Sequence, residues 1–247
     1  MSGNNGTEIA GAWLRGALHA LLPSSCALCG RAADAPVCAG CAARYLRACP
    51  RCPRCANPCA ARDALHPCGA CQAMRPAFDA TVAAADYAAP LDQLVLQLKF
   101  GATLALANWC GAALKEAMLQ RRAVPLPNVL CPVPLGRTRL ASRGFNQALE
   151  IARPVASGLG IALRPRLAVR AIDTDAQSKL TRKDRRANIR NAFIVAPDAL
   201  PLVRGQHIGI VDDVMTSGGT MHELAGVFKR FGAARVTCLV FARTPPR

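Results

Sequence analysis

His207-Ile208-Gly209-Ile210-Val211-Asp212-Asp213-Val214-Met215-Thr216-Ser217-Gly218-Gly219-Thr220 is the stretch that decides the fold. Its first five residues form an apolar run of strand length. The run ends in two carboxylates and then in a turn of small, hydroxyl-bearing residues, and a helix is expected to begin at about Thr220. Small residues let backbone N–H groups close around an anion at the positive end of a helix, and the hydroxyls of Thr216, Ser217 and Thr220 add donors. Strand, acidic pair, hydroxyl turn and helix together specify a phosphate site far more narrowly than a bare glycine turn does.

Working outward, the pattern predicts a strand over 80–88, helices over 91–98 and 104–120, and a short strand over 128–133. A helix over 146–157, a short strand over 193–195, a helix over 220–231 and a final strand over 235–241 follow. Alternating strands and helices imply an α/β fold with a parallel sheet and helices on both faces. Residues 9–22 carry Trp13, Leu14, Ala17, Leu18, Leu21 and Leu22 at helical spacing, which predicts an amphipathic helix that docks on the protein. That run is too short to span a bilayer and lacks a basic start and a small-residue cleavage site, so a cytoplasmic protein with no membrane span is expected.

The loop resembles the diphosphate-sugar motif of type I phosphoribosyltransferases, whose substrate is phosphoribosyl diphosphate with Mg2+. On that resemblance Asp212 and Asp213 serve the ribose hydroxyls and, through water, Mg2+, while Thr216, Ser217, Gly218, Gly219 and Thr220 hold the sugar phosphate. The hypoxanthine-guanine enzymes carry an aspartate where Thr216 stands here. A threonine is no general base at neutral pH, so transfer to a 6-oxopurine is disfavoured.

Such chemistry needs cations opposite the loop, and the sequence supplies them twice. Residues 132–139 read as a strand end and turn. Their position resembles the family's pyrophosphate loop, with Arg137, Arg139 and Arg143 available to the leaving group and Asn146 an alternative helix cap. Residues 177–190, which include Lys179, are polar and basic; they suit either a mobile hood over bound substrate or a solvated basic face. The catalytic candidates are therefore Arg143, Lys179, Asp212 and Asp213.

Ten of the thirteen cysteines lie between Cys26 and Cys71, a concentration that points to metal and not to a disulfide framework. Cys26-x2-Cys29 with Cys38-x2-Cys41, and Cys52-x2-Cys55 with Cys68-x2-Cys71, each complete the tetrahedral thiolate shell of a structural Zn2+. Disulfides and an iron–sulfur cluster are the less favoured alternatives. Cys49 and Cys59 are surplus, and Cys49-x2-Cys52 is also a legal knuckle, so the ligand set of the second site stays ambiguous, with Cys52 and Cys55 preferred.

The order of motifs is more specific than any one of them. Four knuckles, Leu98-Lys99-Phe100, Pro132-Val133-Pro134, Arg143-Gly144-Phe145-Asn146-Gln147, the 177–193 stretch and the acidic loop resemble, over almost the whole chain, the ComF family of competence-associated proteins. That resemblance implies a double zinc ribbon over 25–75, preceded by the 1–24 helix and fused to a phosphoribosyltransferase-like domain over 78–247. It also implies a part in handling single-stranded DNA, with competence or recombination proteins as partners.

The formal charge is +16. Residues 137–190 hold 13 Arg or Lys against 4 Asp or Glu, so polyanions are the expected partners. Three functions stay open at this point: a Mg2+-dependent phosphoribosyltransferase of unknown acceptor, a non-catalytic single-stranded DNA-binding module, and a regulator that senses phosphoribosyl diphosphate.

Overall fold

The structure is a computed structural model that describes residues 25–101, 103–171 and 192–245. The helix expected over 9–22 and the basic segment 177–190, with Lys179, lie outside the described residues. The chain divides into two compact units, Met1–Tyr45 and Leu46–Arg247.

In the smaller unit the described residues hold the first cysteine tetrad. A bridge between Ser25 and Ala32 folds the Cys26–Cys29 knuckle, and Gly30 takes a left-handed φ of 73° as the chain turns back. Cys38 and Cys41 stand at the start of helix α1 (Ala39–Tyr45).

The larger unit is built on five parallel strands: β1 (Ala80–Asp86), β2 (Val129–Pro132), β3 (Ala162–Leu163), β6 (His207–Met215) and β7 (Arg235–Arg243). They lie in the order β1-β7-β6-β2-β3. The deciding stretch thus forms the central strand, paired with β7 from His207 to Met215 and with β2 from Ile208 to Val211.

Alternation along these strands sorts the core onto two faces. Ile208, Ile210, Cys238 and Val240 face helix α7 (Gly219–Arg230), packing with Leu224, Ala225 and Phe228. Val211, Leu239 and Phe241 face helices α3 (Leu91–Phe100), α4 (Leu104–Gln120) and α6 (Gln147–Leu159). A helix layer on each face explains why the strands read as continuous apolar runs. Helices α4 and α6 cross closely enough that a Cβ on Gly111 would lie 2.4 Å from Pro154 Cγ.

Three local readings change. Residues 137–143 form a short helix, α5 (Arg137–Arg143), where a turn is expected, closed by Gly144 in the left-handed region. Its turn-like polarity reflects exposure, since none of its residues is buried. The strand expected at 193–195 is present as β5 (Phe193–Val195). It pairs antiparallel with β4 (Ala168–Arg170) in a separate ribbon, a partner too short to show periodicity. The central strand also runs on through Asp212 and Asp213 to Met215, four residues past the expected Val211, because ladder pairing with β7 continues to Arg243.

The second tetrad lies in this larger unit and repeats the architecture of the first. A bridge joins Arg51 and Pro58, Ala56 takes the left-handed φ that Gly30 takes in the other module, and Cys68 and Cys71 open helix α2 (Gly69–Met74). Cys52, Cys55 and Cys71 are buried in the same core as Phe78, Met215 and Ile210. Among the described residues no helix is long and apolar enough to cross a membrane.

Candidate functional site

Parallel strands bring their carboxyl ends to one edge, where open α/β sheets bind ligands. Here that edge carries the acidic pair and the loop into α7. Gly218 caps the helix with a φ of 79°, a conformation that disfavours any side chain, and a Cβ there would meet Met215 Cε at 2.7 Å. No side chain caps the helix, so the hydroxyls of Thr216, Ser217 and Thr220 are not spent on it. Thr216 and Ser217 are exposed.

The two carboxylates differ. Asp212 Oδ1 accepts the Asp213 N–H at 2.9 Å, and Asp213 Oδ1 accepts the Val214 N–H at 2.8 Å. The other oxygen of Asp213 lies 2.9 Å from Lys99 Nζ, in a pair whose side chains are 10% and 24% exposed. Desolvation and then the adjacent Asp213 carboxylate push the Asp212 carboxyl well above its ordinary range.

Lys99 therefore finds a reason that its sequence alone did not supply. It sits in the last turn of α3, whose preceding residue Leu98 is wholly buried and whose following residue Phe100 is exposed. The guanidinium of Arg143, at the end of α5, lies 5.4 Å over the Phe100 ring. Leu98-Lys99-Phe100 is thus an anchor, a cation on the acidic pair and a platform for a second cation. Burial lowers the pKa of Arg143, and the carboxylates of Asp213 and Asp212 oppose that shift, which ties this side chain to the same electrostatic site. Arg139 also acts on Arg143, while Arg137 is exposed and lines a separate cleft with Phe145 and Arg170. Asn146 caps α6, its Oδ1 accepting N–H groups of Ala148 and Leu149.

A further residue escaped sequence reasoning altogether. Arg243, at the end of β7, is 5% exposed and donates from Nε to the Cys55 carbonyl at 2.8 Å. Its Nη1 donates to the carbonyls of Met215 at 2.9 Å, Thr244 at 2.7 Å and Thr216. Arg243, Cys55, Ser217, Gly218 and Gly219 share one cleft of about 330 Å3. Nothing in an arginine that ends an apolar strand announces this role.

Each cysteine tetrad gathers its four sulfurs within 4.8 Å of one another, and among the described residues Cys49 and Cys59 stand outside both. Sulfurs of Cys29 and Cys38 are 3.8 Å apart and those of Cys55 and Cys68 are 3.7 Å apart. A regular tetrahedron with bonds of about 2.3 Å has edges of about 3.8 Å, so both tetrads fit zinc. Burial works against ionisation of Cys26, but amides led by Cys38 outweigh it and bring its thiol to about 6; Cys52 comes to about 7 in the same way. Burial and the neighbouring sulfurs instead raise Cys41 to about 12. A divalent cation is what allows all four thiols of a tetrad to ionise together.

The model of the phosphoribosyl transferase domain matches residues 146–247. The DNA utilization protein YhgH of Salmonella typhi is 38% identical over 181 residues, 72% of this chain and 78% of that protein. Competence protein F of Haemophilus influenzae is 31% identical over 182 residues, 71% of this chain and 78% of that protein. The chain belongs to the ComF family. Its parallel-sheet phosphoribosyltransferase fold and its cysteine-rich modules agree with that membership. YhgH of Escherichia coli K12, 36% identical over 181 residues, matches a ComF chain of this kind over the same share of its length.

Proposed function

We propose that this ComF-family chain binds phosphoribosyl diphosphate with Mg2+ at the loop between β6 and α7, transfers the phosphoribosyl group, and serves the DNA handling that its relatives' names denote. The observation that carries the reading is the pair of carboxylates beside a left-handed helix start that has no side-chain cap, with Lys99 2.9 Å from Asp213 and Arg143 in the field of both carboxylates. The amides and hydroxyls of residues 216–220 take the sugar phosphate. Asp212 and Asp213 take the ribose hydroxyls and, through water, Mg2+, which neutralises diphosphate charge when bound. Arg143 and Arg139 face the leaving diphosphate. The eight tetrad cysteines hold two structural Zn2+, and a cytoplasmic setting follows from keeping those thiols reduced.

Calorimetry with phosphoribosyl diphosphate and Mg2+ tests the binding step, on wild type and on Asp212→Asn/Asp213→Asn. Binding by the wild type and its collapse in the variant are expected; equal heats from both proteins overturn the assignment. Release of pyrophosphate across an acceptor panel tests turnover, and a ligand-binding protein silent across that panel is a sensor or scaffold.

A second reading has its own observation. A cleft of about 980 Å3 is lined by Arg137, Phe145 and Arg170, away from the acidic pair. It suits a strand of single-stranded DNA held chiefly by its backbone, since aromatic residues are only 4% of the chain. Such binding weakens steeply as salt rises and survives Asp212→Asn/Asp213→Asn. Affinity indifferent to salt removes this reading.

A further inference from the structure

We infer that Arg243 is a positioning residue that turns the amides of the phosphate loop toward their ligand, and that the second cysteine tetrad holds Arg243 in place for that purpose. The inference rests on the loop being an anion site, as proposed above, and says how it is held ready.

In a planar trans peptide the carbonyl and the following N–H point in opposite directions. The carbonyls of Met215 and Thr216 both accept from Arg243. The N–H groups of Thr216 and Ser217 belong to those same two peptide planes, so both are turned to the side of the loop away from the arginine. An exposed loop of threonine, serine and glycine has little intrinsic preference for such an arrangement. The Met215 plane is also held by the Thr244 N–H at 3.0 Å, and Nη1 of the guanidinium holds both planes from below, at a place fixed by Nε on the Cys55 carbonyl; a lysine ammonium has no second nitrogen for that anchor.

The guanidinium in turn needs an anchor. Arg243 is buried, so its guanidinium needs hydrogen-bond partners in place of water, and the carbonyl of Cys55 is the one that meets Nε. Cys55 is itself a member of the second tetrad, and its carbonyl sits 2.8 Å from Arg243 Nε. The same module is fastened to the sheet by Arg51, which reaches Asp86 at 2.7 Å, and by Thr81, which donates to the Arg54 carbonyl at 2.6 Å. A backbone fixed by four thiolates around one ion thus fixes the carbonyl, the carbonyl fixes the arginine, and the arginine fixes two peptide planes of the loop. The second tetrad is in this way a part of the anion site and not only a fold staple.

Hydrogen exchange of the full-length protein reads this without any ligand, through the two amides that bond to the loop: Thr244 N–H on the Met215 carbonyl at 3.0 Å and His222 N–H on the Gly218 carbonyl at 2.8 Å. In Arg243→Lys with both metals retained, these two amides are expected to exchange roughly tenfold faster than in wild type, with residues 91–120 unchanged. Gradual withdrawal of metal by a chelator should produce the same local change as the second zinc leaves, and restoring Zn2+ should reverse it. Cys29→Ser, in the first tetrad, should leave both amides as they are. Unchanged exchange of both amides in Arg243→Lys overturns the inference, as does their continued protection after the second zinc has gone. If metal loss deprotects residues 91–120 as well, the metal-loaded Arg243→Lys protein decides alone.

Ribose 5-phosphate provides the companion arm. Its affinity should fall at least roughly tenfold in Arg243→Lys, measured where the unfolding curve shows that variant fully folded and metal-loaded, so that the loss reports the loop and not unfolded protein. A wild type that ignores ribose 5-phosphate defeats the reading of the loop as a phosphate site; the exchange arm still tests the coupling.

Discussion

Replacing Lys99 by methionine isolates the cation that, among the described residues, is ion-paired with the acidic pair. Lys99 Nζ and Asp213 Oδ2 are 2.9 Å apart, with Asp213 the more buried partner. At an effective dielectric of about 20 their attraction is about 6 kcal/mol, most of which is returned as the cost of desolvating both ions. The methionine keeps the stem's packing and removes the charge, leaving Asp213 beside Asp212 with no ion-pair partner among the described residues and only the more distant field of Arg143. Among the described residues that Asp213 oxygen accepts no hydrogen bond, so little else compensates it. Breaking a fully buried pair from one side costs about 3–5 kcal/mol; with Lys99 a quarter exposed, we expect about 2–3 kcal/mol. Asp213→Asn removes the other partner and should cost less, about 1–2 kcal/mol, because Lys99 reaches solvent more easily. The double variant should cost less than the sum by about 1–2 kcal/mol, the signature of a direct pair. Equilibrium urea unfolding of the zinc-loaded protein measures all four. A Lys99→Met protein within about 0.5 kcal/mol of wild type, or strict additivity of the two changes, refutes the reasoning.

Gly111→Ala places a Cβ 2.4 Å from Pro154 Cγ and 2.7 Å from the Ile151 carbonyl, so the α4–α6 crossing must open. A loss of about 2–3 kcal/mol by urea unfolding is expected, and a neutral substitution contradicts the packing described. Asp79 accepts from Lys229 Nζ and from the Val236 N–H, each at 2.7 Å; burial opposes its ionisation, but these partners hold its carboxyl below the ordinary value. Its contribution is present above the unfolded value of about 4 and lost as pH falls through the lower folded value, so Asp79→Asn should cost about 1–2 kcal/mol at neutral pH and little in strong acid. A penalty that persists at low pH counts against this account.

The large elements were legible because each carries a period. The α4 helix runs over 104–120 as expected, and the central strand, β7 and α7 all stand where apolar runs place them. Both tetrads were legible for a different reason: two-residue spacing is itself a ligand geometry. The short pieces were not. β3 has two residues and β4 three, and their existence depends on neighbours far away in sequence. Site residues divide along the same line. Asp212, Asp213 and the glycines announce themselves within one contiguous turn. Lys99, which pairs with Asp213, and Arg143, which feels the field of both carboxylates, come from two helices, α3 and α5, that end near the acidic pair. Arg243 was hidden most fully, since its four acceptors are all backbone carbonyls, and a carbonyl leaves no mark on sequence.

The arrangement of charge fixes one last consequence. Lys99 neutralises Asp213, while desolvation and Asp213 itself keep the Asp212 carboxyl above its ordinary range. A raised folded value means that Asp212 retains its proton to higher pH than an unfolded carboxylate does, so this group favours the free protein less as pH rises between those two values. In the binding proposed above, a divalent cation arriving with a diphosphate would reverse the local field and favour the ionised form. Binding must then expel a proton over the same interval, and affinity must rise with pH until Asp212 is ionised in the free protein. Calorimetry in buffers of differing ionisation enthalpy reads the proton directly. Release should be a fraction of one proton per ligand at the acid end, declining as pH rises, and absent in Asp212→Asn. Proton uptake on binding, or a release that survives Asp212→Asn, would place the titrating group elsewhere and remove Asp212 from the cation's path.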